Sequence, residues 1–275
     1  MNPLEPHRAR KRFGQNFLHD QGVIDRIVRH VRPQNGQVLV EIGPGLGALT
    51  IPLLQVAGKL TAIELDRDVI PHLRRASQKI DPQQTQLEII EADALSIDLS
   101  ALAARFGQKL RVVGNLPYNI STPLIFHFLK HREAIQDMHF MLQKEVVDRL
   151  CASAGDDDYG RLSVMVAAQA SSEWLMPVPP ESFTPAPKVD SAIVRLVPQA
   201  PDFVIQDATR FEKVVAAAFA QRRKQLGNAL KGWVSAEAMR AVGVDPQDRA
   251  ENLTPAQFAL LSANGLVLAN PATTT

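Results

Sequence analysis

At 275 residues the chain has room for one large domain or two smaller ones, and 45% hydrophobic residues suffice for a real core. The formal net charge of +1 gives no bulk attraction for nucleic acid, no apolar run reaches the ~18 residues of a membrane span, and the single Cys151 leaves no intrachain disulfide or cysteine-built zinc site. The basic start, from His7 to Arg12, lacks the apolar stretch of a secretory signal, so a reducing, cytoplasmic setting away from membranes is expected.

Val23, Ile24, Ile27, Val28 and Val31 recur at helical spacing. Val38 to Ile42 then reads as a buried strand, followed by a glycine turn and a helix from Gly47 to Ala57 with Pro52 in its first turn. Leu60 to Ile63 is a second strand, Asp66 to Lys79 a helix, Leu87 to Ile90 a third strand and Leu110 to Val113 a fourth. A helix begins near Leu124, Met138 to Leu142 is a fifth strand, and Lys144 to Leu150 and Arg161 to Ala170 are helical. Ile193 to Val197 is a late strand. Alternating strands and helices predict an α/β, doubly wound, mostly parallel Rossmann-like sheet. Pro198, Pro201 and Asp202 interrupt the pattern, and beyond them only helices are read. Two domains are therefore predicted, residues 1–200 and a small C-terminal helical domain over 201–275.

The first strand runs into Glu41-Ile42-Gly43-Pro44-Gly45-Leu46-Gly47. Glycines let the backbone turn tightly and approach a ligand closely. Glu64 follows Gly43 by 21 residues, at the next strand's end, where a carboxylate can accept both ribose hydroxyls. Gly43, Gly45 and Ala48 also satisfy the dinucleotide fingerprint, which keeps a nicotinamide cofactor open. Glu41 points elsewhere, because a carboxylate beside the glycines repels a pyrophosphate and suits a cation. Asp93 follows the third strand, within reach of an adenine amino group. Three acids at successive strand ends favour S-adenosyl-L-methionine, which carries a sulfonium and an ammonium and no phosphate. The histidines offer no metal-ligand spacing, so no metal is expected.

The fourth strand leads into Asn115-Leu116-Pro117-Tyr118. Pro117 restricts Leu116 to extended backbone, aiming its carbonyl in one direction. That carbonyl and the Asn115 side-chain oxygen can accept the two protons of a flat amine, while the Tyr118 ring stacks on the base that carries it. Such a device serves methylation of a nucleobase's exocyclic nitrogen by positioning and electrostatics. Arg222, Arg223 and Lys224 form a local basic cluster able to grip phosphates.

These pieces resemble the ribosomal RNA adenine dimethyltransferases, specifically the small-subunit type. The resemblance is carried by Arg12 to Leu18, Glu41 to Gly47, Ile63 to Asp66, Asp93-Ala94 and Gly114 to Asn119, then by Leu142 to Glu145, Tyr159 to Ser163, Phe183 to Ser191, Gln221 to Lys224 and Arg249 to Glu251. It implies transfer of two methyl groups to each of two adjacent adenosines near the 3′ end of small-subunit RNA, on an immature small ribosomal subunit. A monomer is expected. It implies cofactor contacts from Asn16, Leu18, Gly43, Glu64, Asp93 and Asn115, and a target amine held by the Asn115 to Tyr118 turn. Phe183 matches a family aromatic that sandwiches the base from the other side; from the residues alone it reads equally as a core anchor. A ribosome-assembly factor that mainly occupies the RNA, and a large-subunit methyltransferase of the resistance type, are the alternatives kept open.

Overall fold

The computed structural model describes residues 16–221 and 223–263, so the expectations resting on His7 to Gln15 and on Arg222 lie outside the described residues. Among the described residues nine strands form: β1 (Phe17–Leu18), β2 (Val38–Ile42), β3 (Leu60–Glu64), β4 (Leu87–Glu91), β5 (Leu110–Asn115), β6 (Ile135–Gln143), β7 (Ala170–Val178), β8 (Phe183–Thr184) and β9 (Ser191–Pro198). Seven of them make one sheet in the order β4-β3-β2-β5-β6-β9-β7. The run from β4 to β6 is parallel throughout, and β9 joins β6 antiparallel. β1 and β8 pair antiparallel as a separate two-stranded ribbon, with Leu18 opposite Phe183.

A parallel sheet covered on both faces needs strands that are apolar on both sides. β5 shows this, with Val112 and Val113 both buried. The helix Gln21–Val31 buries Val23, Ile24, Ile27 and Val31, and the Asp20 side chain caps it by accepting from the Val23 N–H at 3.1 Å. Thr50–Ala57 begins three residues later than the sequence pattern suggests, because Gly47 sits at φ 93°, a left-handed turn conformation outside any helix. Helix Ile70–Ser77 is likewise shorter than expected, with Pro71 in its first turn. The sequence pattern predicts neither the short strands β1 and β8 nor the helix Leu226–Ala229, and two longer elements also fall outside it. Helix Leu99–Phe106 starts at an Asp98 side-chain cap and stops at Gly107. β7 fills a stretch to which the sequence pattern assigns no element, and the helix before it ends at Ala167, three residues short of the expected Ala170.

The chain divides into two compact units. One comprises the described parts of Met1–Val147 with Glu173–Pro198, the other Asp148–Ser172 with the described parts of Gln199–Thr275. The second unit is thus wider than the predicted helical domain over 201–275. Its core explains why residues 148–172 join it: Tyr159, Val164 and Ala168 pack with Phe211, Val214 and Phe258. The buried Tyr159 hydroxyl donates to the Leu253 carbonyl at 2.7 Å. Its phenol is pushed far above the ordinary tyrosine range by burial and stays neutral.

Candidate active site

In the first unit the chain winds outward from β2 through β3 to β4, then returns to the other side of β2 as β5. Strand order reverses there, and in open α/β sheets ligands bind beyond the strand ends at such a reversal. Ile42 at the tip of β2 is in register with Gly114 near the tip of β5. A side chain at Gly114 would place its Cβ 2.7 Å from the Ile42 carbonyl oxygen, so only glycine lets the two tips lie this close.

Beyond the tips the loops diverge around a cavity of about 400 Å³. The six residues expected at the cofactor, Asn16, Leu18, Gly43, Glu64, Asp93 and Asn115, all line it, and so do Leu116, Pro117 and Tyr118. Gly43, at φ 64°, donates its N–H to the Ile63 carbonyl at 2.9 Å and closes the turn onto β3. Gly45 donates to Glu64 Oε2 at 3.3 Å, while Glu64 Oε1 accepts from the Asp66 N–H at 2.8 Å. These donors hold the buried Glu64 carboxylate at the end of β3. Burial still pushes its pKa above the usual carboxylate range, against the pull of those backbone hydrogen bonds. Asp93 Oδ1 caps the short turn Ala94–Ser96 through the Leu95 N–H at 2.9 Å, leaving Oδ2 without a partner among the described residues.

Glu41 is the most unusual group in the wall. It is only 2% exposed, and its Oε2 has no hydrogen-bond partner among the described residues; the nearby Thr50 hydroxyl has none either. Burial pushes its carboxyl up to about 8; the adjacent Thr50 hydroxyl, short of hydrogen-bond geometry, opposes the rise and the neighbouring Glu64 charge adds to it. A buried, unpartnered carboxylate oxygen in a ligand cavity fits a cationic ligand and opposes an anionic one. That geometry separates the sulfonium donor from a pyrophosphate-bearing dinucleotide.

The turn after β5 is anchored on three sides. The Leu116 N–H donates to the Met141 carbonyl on β6 at 3.2 Å. Asn115 Nδ2 donates to the Asn16 carbonyl at 3.1 Å, so Oδ1 is the side-chain atom left for a ligand amine. The Tyr118 hydroxyl meets Ser191 Oγ at 2.6 Å. Sequence reasoning missed both the Asn16 carbonyl and Ser191 in these roles, since each acts on a residue far along the chain. It also missed Leu46, Leu65 and Leu95, exposed apolar side chains that line the cavity.

Phe183 is not brought to the cavity. It is 2% exposed and packs in the core with Leu18, Val178 and Ile193. Among the described residues it is not one of those lining the cavity, and its burial fits the core-anchor reading that the sequence left open. The reason is local: β8 pairs with β1, and the Phe183 side chain is covered by the apolar residues beneath that ribbon. Arg223 and Lys224 are exposed in the second unit.

Residues 6–264 match the family model for ribosomal RNA adenine dimethylase. The chain is 54% identical to the ribosomal RNA small subunit methyltransferase A of Hahella chejuensis, an alignment covering 93% of this chain and 92% of that one. The protein of the same name from Pseudomonas aeruginosa is 53% identical, with 95% and 96% covered. Among solved structures, a dimethyladenosine transferase from Plasmodium falciparum superposes with a TM-score of 0.75 at 27% identity, covering 89% of this chain and 95% of that one. The 23S rRNA methyltransferase ErmE gives 0.68 at 26% identity, covering 90% and 98%.

Proposed function

This chain belongs to the ribosomal RNA adenine dimethylase family, and from that premise we propose how its residues divide the work. It is an S-adenosyl-L-methionine-dependent enzyme that dimethylates adenine in ribosomal RNA. The substrate we assign is a pair of adjacent adenosines near the 3′ end of small-subunit RNA, on an immature subunit in the cytoplasm, met by a monomer. Relatives named for the small subunit, at more than half identity over nearly their whole length, support that choice over a large-subunit target.

The acid-lined cavity holds the cofactor. Glu64 takes the ribose hydroxyls, Asp93 Oδ2 the adenine amino group, and Glu41 faces positive charge. Gly43 and the Asn16 to Leu18 segment close around it. The bound cofactor supplies an electrophilic methyl group on a sulfonium. Asn115 Oδ1 and the Leu116 carbonyl accept the protons of the target amine, which favours a pyramidal nitrogen with an exposed lone pair. Tyr118 stacks on the base. After the first transfer one N–H remains, so the clamp must work through a single acceptor and the pocket must admit a methyl group. The target adenine leaves its stack to enter, at a cost of a few kcal/mol that is least for loop or single-stranded adenines.

The observation that carries this reading is the Asn115 amide, fixed by the Asn16 carbonyl at the edge of the acid-lined cavity. Incubation with labelled S-adenosylmethionine and immature small subunits should place label in dimethyladenosine. An Asn115→Ala chain should bind the particle and transfer nothing; label in wild-type reactions outside adenine would refute the assignment.

A further inference from the structure

Tyr118 lies three residues beyond the end of β5, in the short connection to the helix Ser121–Lys130, and is only half-buried. A tyrosine there turns about two torsions, and a stacking platform that turns loses the base. One contact fixes it. The Tyr118 hydroxyl meets Ser191 Oγ at 2.6 Å, at the short end for a hydrogen bond between hydroxyls.

Ser191 is well suited to hold a ring still. It is fully buried, at 0% exposure. It is the first residue of β9 and sits opposite Gln143 in a β6–β9 ladder that continues through Met138 and Leu196. The preceding Asp190 carbonyl accepts from the Lys144 N–H at 2.9 Å, pinning the strand's start to the end of β6. Ser191 is not among the described residues that line the cavity.

We propose that Ser191 is a positioning residue, whose buried hydroxyl locks the Tyr118 ring in the orientation on which the target adenine stacks. The proposal rests on the reading that Tyr118 is that platform. It divides the substrate clamp between two anchors: Asn16 orients the amide and Ser191 orients the ring. A rigid platform matters twice for this enzyme, because the same ring must present the base before and after the first methyl group is added.

Kinetics on the full chain with small-subunit particles test it. Ser191→Ala should lower kcat/KM for RNA roughly fivefold to tenfold, the worth of one ordinary hydrogen bond, while cofactor affinity by calorimetry stays unchanged. Tyr118→Phe keeps the ring and removes the anchor, so it should fall by a similar factor. The double variant should be no worse than either single one. Ser191→Cys, close in volume but a weak donor, should behave as Ser191→Ala. Burial raises the Tyr118 phenol and the Ser191 bond opposes that rise. The titration that disappears in Tyr118→Phe should therefore move upward in Ser191→Ala. A Ser191→Ala cost of equal size in the wild-type and Tyr118→Phe backgrounds would make Ser191 merely structural and overturn the proposal. Unchanged kcat/KM in Ser191→Ala, with Tyr118→Ala inactive, would overturn it too. Full activity in Tyr118→Ala would instead remove the platform reading beneath it.

Discussion

Glu41 occupies a place where a carboxylate is destabilised unless a cation arrives. With its carboxyl pushed up to about 8 by burial, it is largely protonated at neutral pH when no cation is near. A positively charged cofactor favours the ionised form, so binding releases a proton below pH 8. Cofactor affinity should rise with pH over about two units below 8 and then level off. Glu41→Gln should flatten that profile, which calorimetry in buffers of different ionisation enthalpy would read as lost proton release. The folding sign is opposite. A carboxyl raised in the folded state contributes stability that is full below its unfolded value and lost as pH rises through 8, so the cofactor should protect the protein most in alkaline buffer. Glu64→Ala should weaken the cofactor without unfolding the first unit, because its partners, the Gly45 and Asp66 N–H groups, lie in a loop at the cavity; unchanged affinity would remove it from the ribose role. Glu64, Asp93 and Asn115 were legible as candidates because each follows an apolar strand run by one to three residues, which puts it at or just beyond a strand end. Ser191 and the Asn16 carbonyl were not, since nothing local reveals a partner 73 or 99 residues away. Phe183 shows the remaining limit: an aromatic beside a proline-stiffened loop carries no mark of whether its ring turns to the core or to a ligand.

β5 joins two tasks in one short strand. Near its start, the Arg111 guanidinium forks onto Asp137 on β6 at 2.8 and 2.9 Å and donates to the Val31 and Arg32 carbonyls at the end of the helix Gln21–Val31. A cation there answers unpaired carbonyls and the helix dipole together. Four residues on, the same strand delivers Asn115. Burial pushes the Asp137 carboxyl up, but the Arg111 hydrogen bonds and charge outweigh it and hold the group below the usual range. Its contribution is therefore present above the unfolded value and lost as pH falls through the lower folded one. Asp137→Ala should destabilise the unit by about 3–5 kcal/mol in denaturant titration, because a buried Arg111 charge loses its partner. Cofactor affinity of the protein that remains folded should hold. Gly114→Ala should reach the site as well. Its Cβ would press on the Ile42 carbonyl and spread the tips of β2 and β5, so cofactor affinity should drop along with a stability loss of about 1–3 kcal/mol. The central strands were readable because sheet burial on both faces demands continuous apolar runs. β7 was not, because an edge strand tolerates Ser171, Ser172, Glu173 and Pro177, a composition that resembles a loop. Helix Leu99–Phe106 did carry its signals, Asp98 before and Gly107 after, in an alanine-rich stretch whose apolar face is short.

At the scale of the molecule, near-neutral net charge conceals local clusters of opposite sign. Carboxylates gather around the cavity in the first unit, and Arg223 and Lys224 are exposed at a turn of the second. Acid around the cavity suits a cationic cofactor and repels the phosphates of the RNA, so affinity for RNA must come from basic residues elsewhere. We assign that role to the second unit, through the turn between the helices Ala208–Phe219 and Leu226–Ala229, where the Lys224 N–H bonds the Gln221 carbonyl at 2.9 Å. Each phosphate neutralised by such a residue releases counterions, which makes binding steeply salt-dependent. Replacing Arg223 and Lys224 together by glutamate should therefore weaken binding to small-subunit RNA at low salt. It should also reduce the slope of log K against log salt by about one per lost contact. Cofactor affinity, set by groups of the first unit, should not move. A salt titration of RNA binding beside calorimetry of the cofactor reads both quantities on the same protein, and a slope equal to wild type would take this turn out of the RNA interface.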